Sequence, residues 1–141
     1  MVQPSAREIE QFIHDAFTSA SSEPNFAIEE ADGERVRVRF FARPSQLRPG
    51  GTISGPVQMA AADLAAWAVV LQKLGLHAAP SVTSNFNMSF LSRPSPGDLL
   101  ADSELLKLGK RQAVCAVRIS SNGALVAHAT VTYAIVLHPP T

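Results

Sequence analysis

The sequence has a single cysteine, no net charge and no apolar run long enough to span a membrane, and each shortage closes off a class of protein. Cys115 alone forms no intrachain disulfide, so the fold has to rest on its core. That suits a reducing compartment. Its neighbours Ala113, Val114, Ala116 and Val117 make an apolar, strand-like run. The thiol therefore reads as buried and structural, because reactive thiols need electropositive, partly exposed surroundings. Lys plus Arg and Asp plus Glu number 12 each, so no overall field draws in nucleic acid or an anionic membrane. The longest apolar stretch, Val57 to Leu71, is broken by Gln58 and Asp63 and falls short of a membrane span. Residues 1–20 carry Arg7, Glu8, Glu10, His14 and Asp15 and lack the continuous apolar segment of a secretory leader. His77, His128 and His138 do not cluster at metal-ligand spacing. The expectation is a soluble, cytoplasmic protein without metal or cofactor. Its 141 residues fit one domain.

What is present reads as an ordered series of elements. Residues 5–20 carry Ile9, Phe12, Ile13, Ala16 and Phe17 at helical spacing, with Ser5 and Glu8 placed as a capping box. A loop follows at 21–25. Residues 26–30 and 34–41 read as strands about a turn at Ala31-Asp32-Gly33. The second alternates Val36, Val38 and Phe40 with Arg35, Arg37 and Arg39, so its arginines face solvent or an interface. Residues 42–56 form a long connection rich in Pro and Gly, of the length that often serves function. Pro56 then opens a helix that runs to Leu74 and ends at Gly75. This helix is apolar almost all round, which predicts burial on most sides. Strands are expected at 81–91, 99–108, 112–120 and 124–137, and Asn122-Gly123 is a strong hairpin signal.

A buried helix and a run of short-turned strands satisfy each other when one antiparallel sheet wraps the helix. The fold class is therefore α+β, in the hotdog arrangement, with an extra N-terminal helix. The expected division is helix and loop at 1–24, hotdog core at 25–138 and a tail at 139–141.

Asp63 does not belong in this pattern. It is the only charge between Arg48 and Lys73 and lies among Ala60, Ala61, Ala62, Leu64, Ala65 and Ala66. Aspartate is a mediocre helix former and is almost never fully buried without a partner. An aspartate on a thin exposed stripe, or one tied to a structural partner, is the plain alternative to a functional one.

Residues 48–98 resemble the phenylacetate-pathway (PaaI-type) branch of the hotdog thioesterases, relatives of the 4-hydroxybenzoyl-CoA thioesterases. In that branch a His-Gly-Gly triplet opens the central helix, and the catalytic carboxylate lies nine residues after the His. Here Ser54-Gly55-Pro56 holds the triplet position, and Asp63 follows Ser54 by nine. Val82-Thr83, then Ser89-Phe90-Leu91-Ser92-Arg93-Pro94 and Gly97-Asp98, match the next segments in order. Residues 123–130 look like the family's closing strand. Ser54 and Pro56 depart from the triplet. Arg48 stands where the family often has Asn or Gln.

The resemblance implies an acyl-CoA thioesterase. Asp63 would be nucleophile or general base, and both routes stay open. The Gly55 N–H would serve the oxyanion at the helix N-terminus, with that of Val57 as a second candidate. Thr83 holds the position of a hydroxyl that orients water. Ser54, Gln58 and Arg48 would meet substrate, and Arg93, Lys107, Lys110 and Arg111 are candidate partners for CoA phosphates. The family builds its site between two protomers, which implies a homodimer or a dimer of dimers. The rival readings are a hotdog dehydratase, disfavoured because residues 42–56 hold no His, a non-hydrolytic acyl-CoA binder, and a structural oligomer with Asp63 in an interface.

Overall fold

Ser5 starts the first helix by reciprocal bonding. Its Oγ accepts from the Glu8 N–H at 3.1 Å, and Glu8 Oε1 accepts from the Ser5 N–H at 3.1 Å. Two donors otherwise left over at a helix start are thereby satisfied. The computed structural model describes residues 2–16 and 25–138, and in it α1 spans Ala6–Ala16. Ile9 and Ile13 are its buried residues, with Phe12 packed beside them. The expected extension to residue 20, with Phe17 on the inner face, and most of the loop at 21–25 lie outside the described residues.

Among the described residues six strands make one antiparallel sheet. They are β1 (Phe26–Ala31), β2 (Arg35–Phe40), β3 (Val82–Phe90), β4 (Leu99–Leu108), β5 (Gln112–Ser121) and β6 (Ala124–Ala134), in the spatial order β1-β2-β4-β5-β6-β3. The last strand ends three residues before the expected Leu137. Past Ala134 the chain leaves the ladder because Ser81 Oγ takes the Val136 N–H at 2.9 Å.

Register places one set of side chains inward and another outward. Val38, Ala101, Ile119 and Ala127 lie opposite one another across four strands, and all are fully buried. The neighbouring outward row is Glu30, Arg37, Asp102, Arg118 and His128. The arginines of β2 face outward and find carboxylates: Arg35 with Glu104 at 3.2 Å, Arg37 with Asp102 at 2.7 Å, and Arg39 with Glu29 at 2.6 Å. Such exposed pairs contribute roughly 0–1 kcal/mol each.

Helix α2 (Gly55–Leu74) lies on the inner face and joins β2 to β3 in sequence. Ala61, Ala62, Ala65, Ala66 and Ala68 are buried on it, and small residues let helix and sheet approach closely. Gly75 ends it at φ +101, where a side chain would be strained, and gives its N–H to Leu71 O at 2.8 Å. The connection before α2 is more ordered than its composition foretells. A 3-10 turn at Pro44–Gln46 leads to a Leu47–Ile53 bridge, and Thr52 Oγ1 donates to Pro94 O at 3.0 Å. No helix among the described residues is long and apolar enough to cross a membrane.

Leu71 is fully buried in the middle of this core. Leu71→Ala is expected to cost about 2–5 kcal/mol of unfolding free energy, and Ser5→Ala about 0.5–2 kcal/mol, both read from urea melts.

Candidate active site

Asp63 sits half-buried on α2 where the helix meets β3 and β6. Thr83 Oγ1 of β3 donates to Asp63 Oδ1 at 2.7 Å, and the Tyr133 hydroxyl of β6 meets the same oxygen at 2.8 Å. The Tyr133 hydroxyl also lies 3.1 Å from the Asp63 backbone carbonyl. Asp63 Oδ2 has no hydrogen-bond partner among the described residues.

A bulge aims Thr83 at this carboxylate. Thr83 and Tyr133 are cross-strand partners, and the register shifts between Thr83 and Asn85. Phe86 and Met88 face Val131 and Ala129 on the buried side. Counting back by twos from them brings Ser84 inward. The extra residue puts Thr83 there instead, as bulges beside active sites often do. Tyr133 is only 4% exposed, and burial pushes its phenol well above the ordinary range, so the group keeps its proton.

The first turn of α2 is largely committed. Ser54 caps it: its Oγ accepts from the Val57 N–H at 3.4 Å, and its carbonyl accepts from the Gln58 N–H at 3.1 Å. Pro56 has no N–H. The Gly55 N–H is thus the donor of this turn with no acceptor among the described residues, and the expected help from Val57 is taken up by the cap. The Phe90 ring stands 3.6 Å from where a Gly55 side chain would begin. Gln58 is 4% exposed and gives its Nε2 hydrogen to Ile53 O at 3.2 Å, while its Oε1 is buried without a partner.

The expected site residues do not all meet within one chain. Gly55 and Asp63 are eight residues apart on one helix, which separates them by about 12 Å along its axis. Arg93 lies at the Gly55 end, its guanidinium against Gly50. Arg48 is in the same loop, where its N–H bonds Thr52 O. Lys110 and Arg111 follow Leu108 at the far end of the sheet, and Arg111 O bonds the Ile135 N–H. The four cations therefore form two groups, a division that linear order conceals. A concavity of about 500 Å³ lies on the outer sheet face among Arg37, Asp102, Glu104, Arg118 and His128, away from Asp63. A smaller one of about 50 Å³ touches Phe40, Phe41, Val57 and Leu99 near the α2 N-terminus. No group of His, Cys, Asp and Glu able to hold a metal occurs among the described residues.

The thioesterase superfamily matches residues 50–128, more than half of the chain. The chain belongs to the thioesterase superfamily. No functionally curated protein matches it. Among solved structures, a candidate thioesterase from Silicibacter sp. TM1040 is 34% identical, covering 99% of this chain and 95% of that one, with a TM-score of 0.85. A candidate thioesterase from Ralstonia eutropha JMP134, described as related to phenylacetic acid degradation, is 27% identical over 79% of this chain and 84% of that one, with a TM-score of 0.72. A hypothetical thioesterase from Streptococcus pneumoniae TIGR4, solved with coenzyme A, shares the fold at 23% identity, 92% and 98% coverage and a TM-score of 0.76. The hotdog fold and the phenylacetate-type resemblance of this superfamily member both stand.

Sequence reasoning missed Tyr133. It is the chain's only tyrosine and follows Ala129 and Val131 on the inward face of β6. A hydroxyl in an inward alternation needs a partner, and that was the available signal.

Cys115 is fully buried in β5, and burial pushes its thiol up to about 12. The folded protein is expected to leave a disulfide reagent unreacted at pH 8, and the urea-unfolded chain to react with one thiol. Rapid labelling of the folded form would contradict this burial.

Proposed function

We propose that this protein is an acyl-CoA thioesterase working as a homodimer, with Asp63 as its reacting carboxylate. The observation that carries the reading is a carboxylate set into an apolar helix, anchored through one oxygen and open at the other, in a member of the thioesterase superfamily. The overall reaction turns a thioester and water into a carboxylic acid and the CoA thiol. By the covalent route, the carboxylate attacks the carbonyl carbon, CoA thiolate leaves, and water cleaves the resulting anhydride. By the base route, the carboxylate takes a proton from water as the water attacks. Either way negative charge grows on the carbonyl oxygen. The Gly55 N–H, at the positive end of the helix dipole, is the group suited to receive it.

One chain does not hold both groups around one carbonyl, since about 12 Å of helix separates them. A second chain supplies what is missing. Among the described residues, strand β3 pairs with β6 on one side only, and its own residues are largely exposed. A free edge of nine residues is a template for pairing. Phe90 on this strand and Leu91 just past its end are exposed apolar residues. Antiparallel pairing of two β3 strands carries the Gly55 end of one chain toward Asp63 of the other. It also brings the far end of one sheet, with Lys110 and Arg111, to the end of the other that holds Arg48 and Arg93. The coenzyme A in the S. pneumoniae structure supports CoA as the carrier.

Purified protein is expected to release free thiol from at least one of a panel of short, medium, long and aryl acyl-CoAs. Asp63→Ala and Asp63→Asn are each expected to lower the rate about 10²–10⁴-fold while the oligomer persists in sedimentation. Acyl-CoA binding without turnover would replace this reading with a non-hydrolytic binder. Turnover unchanged in both variants would remove Asp63 from the mechanism. In the active enzyme, Arg93→Ala is expected to raise KM several-fold with kcat held, as loss of a phosphate contact should.

A further inference from the structure

Both hydroxyls that reach Asp63 end on the same oxygen. A carboxylate is free to turn about its Cβ–Cγ bond, and a half-turn exchanges its two oxygens. Two donors on Oδ1, from adjacent strands, stop that exchange. They approach from opposite residues of one ladder, Thr83 and Tyr133, so the angle between them is set by the sheet rather than by loops. The two donors are not equivalent. Thr83 is an exposed residue of an edge strand. Tyr133 is nearly fully enclosed and belongs to β6, which is paired on both sides.

We infer that Tyr133 is a positioning residue for Asp63: its hydroxyl, with that of Thr83, fixes Oδ1 and leaves Oδ2 as the oxygen that meets the thioester carbon or the attacking water. The inference rests on the thioesterase reading and names the atom of that site that reacts and what holds it. A tyrosine hydroxyl needing only a burial partner has the Asp63 carbonyl within reach at 3.1 Å, yet the shorter contact, 2.8 Å, is to the charged oxygen. The hydroxyl has one hydrogen, which goes to Oδ1, and its 3.1 Å approach to the Asp63 carbonyl shows how closely β6 packs on the helix turn that carries the carboxylate. Because the buried phenol keeps its proton, donation does not switch off across the working pH range.

The test uses Tyr133→Phe, which keeps the ring and removes only the hydroxyl. Loss of one hydrogen bond to a charged group should lower kcat about 10- to 100-fold. KM should stay within about twofold, because substrate binding is not the function assigned to the residue. In an Asp63→Ala background the same change should alter the residual rate by less than about twofold, since no oxygen remains to be held. A spectroscopic arm is independent of turnover. The chain has one tyrosine, so ¹³Cζ-tyrosine labelling gives one resonance, which should move when Asp63 becomes Ala. Wild-type kcat in Tyr133→Phe, or an equal loss in the Asp63→Ala background, would overturn the positioning role. An unmoved resonance would overturn the contact. A resonance that moves on Asp63→Ala, in a protein whose wild type turns over no acyl-CoA, would instead overturn the thioesterase reading and with it the role given to Oδ2.

Discussion

Helix α2 has apolar residues on nearly every side and so has to be covered on nearly every side. Burial of that surface is the main favourable term available to the fold. One sheet supplies the cover, with a row of alternating small and branched side chains beneath the helix. α1 closes part of what the sheet leaves open, setting Phe12 edge-on to Trp67 of α2. The one carboxylate in the helix then falls where cover ends, beside the edge strand. A carboxylate there has its anchors on the protein side and an open oxygen on the other. The position of the candidate site is thus a consequence of how far the wrapping extends.

Much of this was legible in the sequence because each element has its own local signal. The capping box at Ser5, the alternation in β2, the Asn122-Gly123 turn and the glycine after Leu74 all act over a few residues. Strand ends were less legible where a side chain displaces the ladder, as Ser81 does beyond Ala134. The arginines of β2 were correctly placed on the polar face, but their partners lie on β4 and β1, which only register determines.

The site was half legible for a related reason. Asp63 stood out as a charge among alanines and leucines. Thr83 was reached through resemblance, and its approach to Asp63 depends on a bulge at Ser84 that alternation alone does not encode. Tyr133 lies seventy residues from the carboxylate it touches and has no local peculiarity beyond being a lone hydroxyl in an inward row. Arg93 and Arg111 look equivalent in sequence, as loop cations near turns. The sheet sets them at opposite ends.

The outward row of Glu30, Arg37, Asp102, Arg118 and His128 runs beside an inward row of wholly apolar residues. Together they give the sheet something like a reading frame. Deleting one residue within β5 would swing Arg118 against α2 and expose Ile119, a frameshift in space rather than in code. Changes in length are therefore confined to turns and to the bulges at 28–30, 83–85, 105–107 and 125–127, where the frame already slips by one. One of those slips supplies Thr83. Away from these bulges an extra residue is an error, and at Ser84 it is part of the candidate active site.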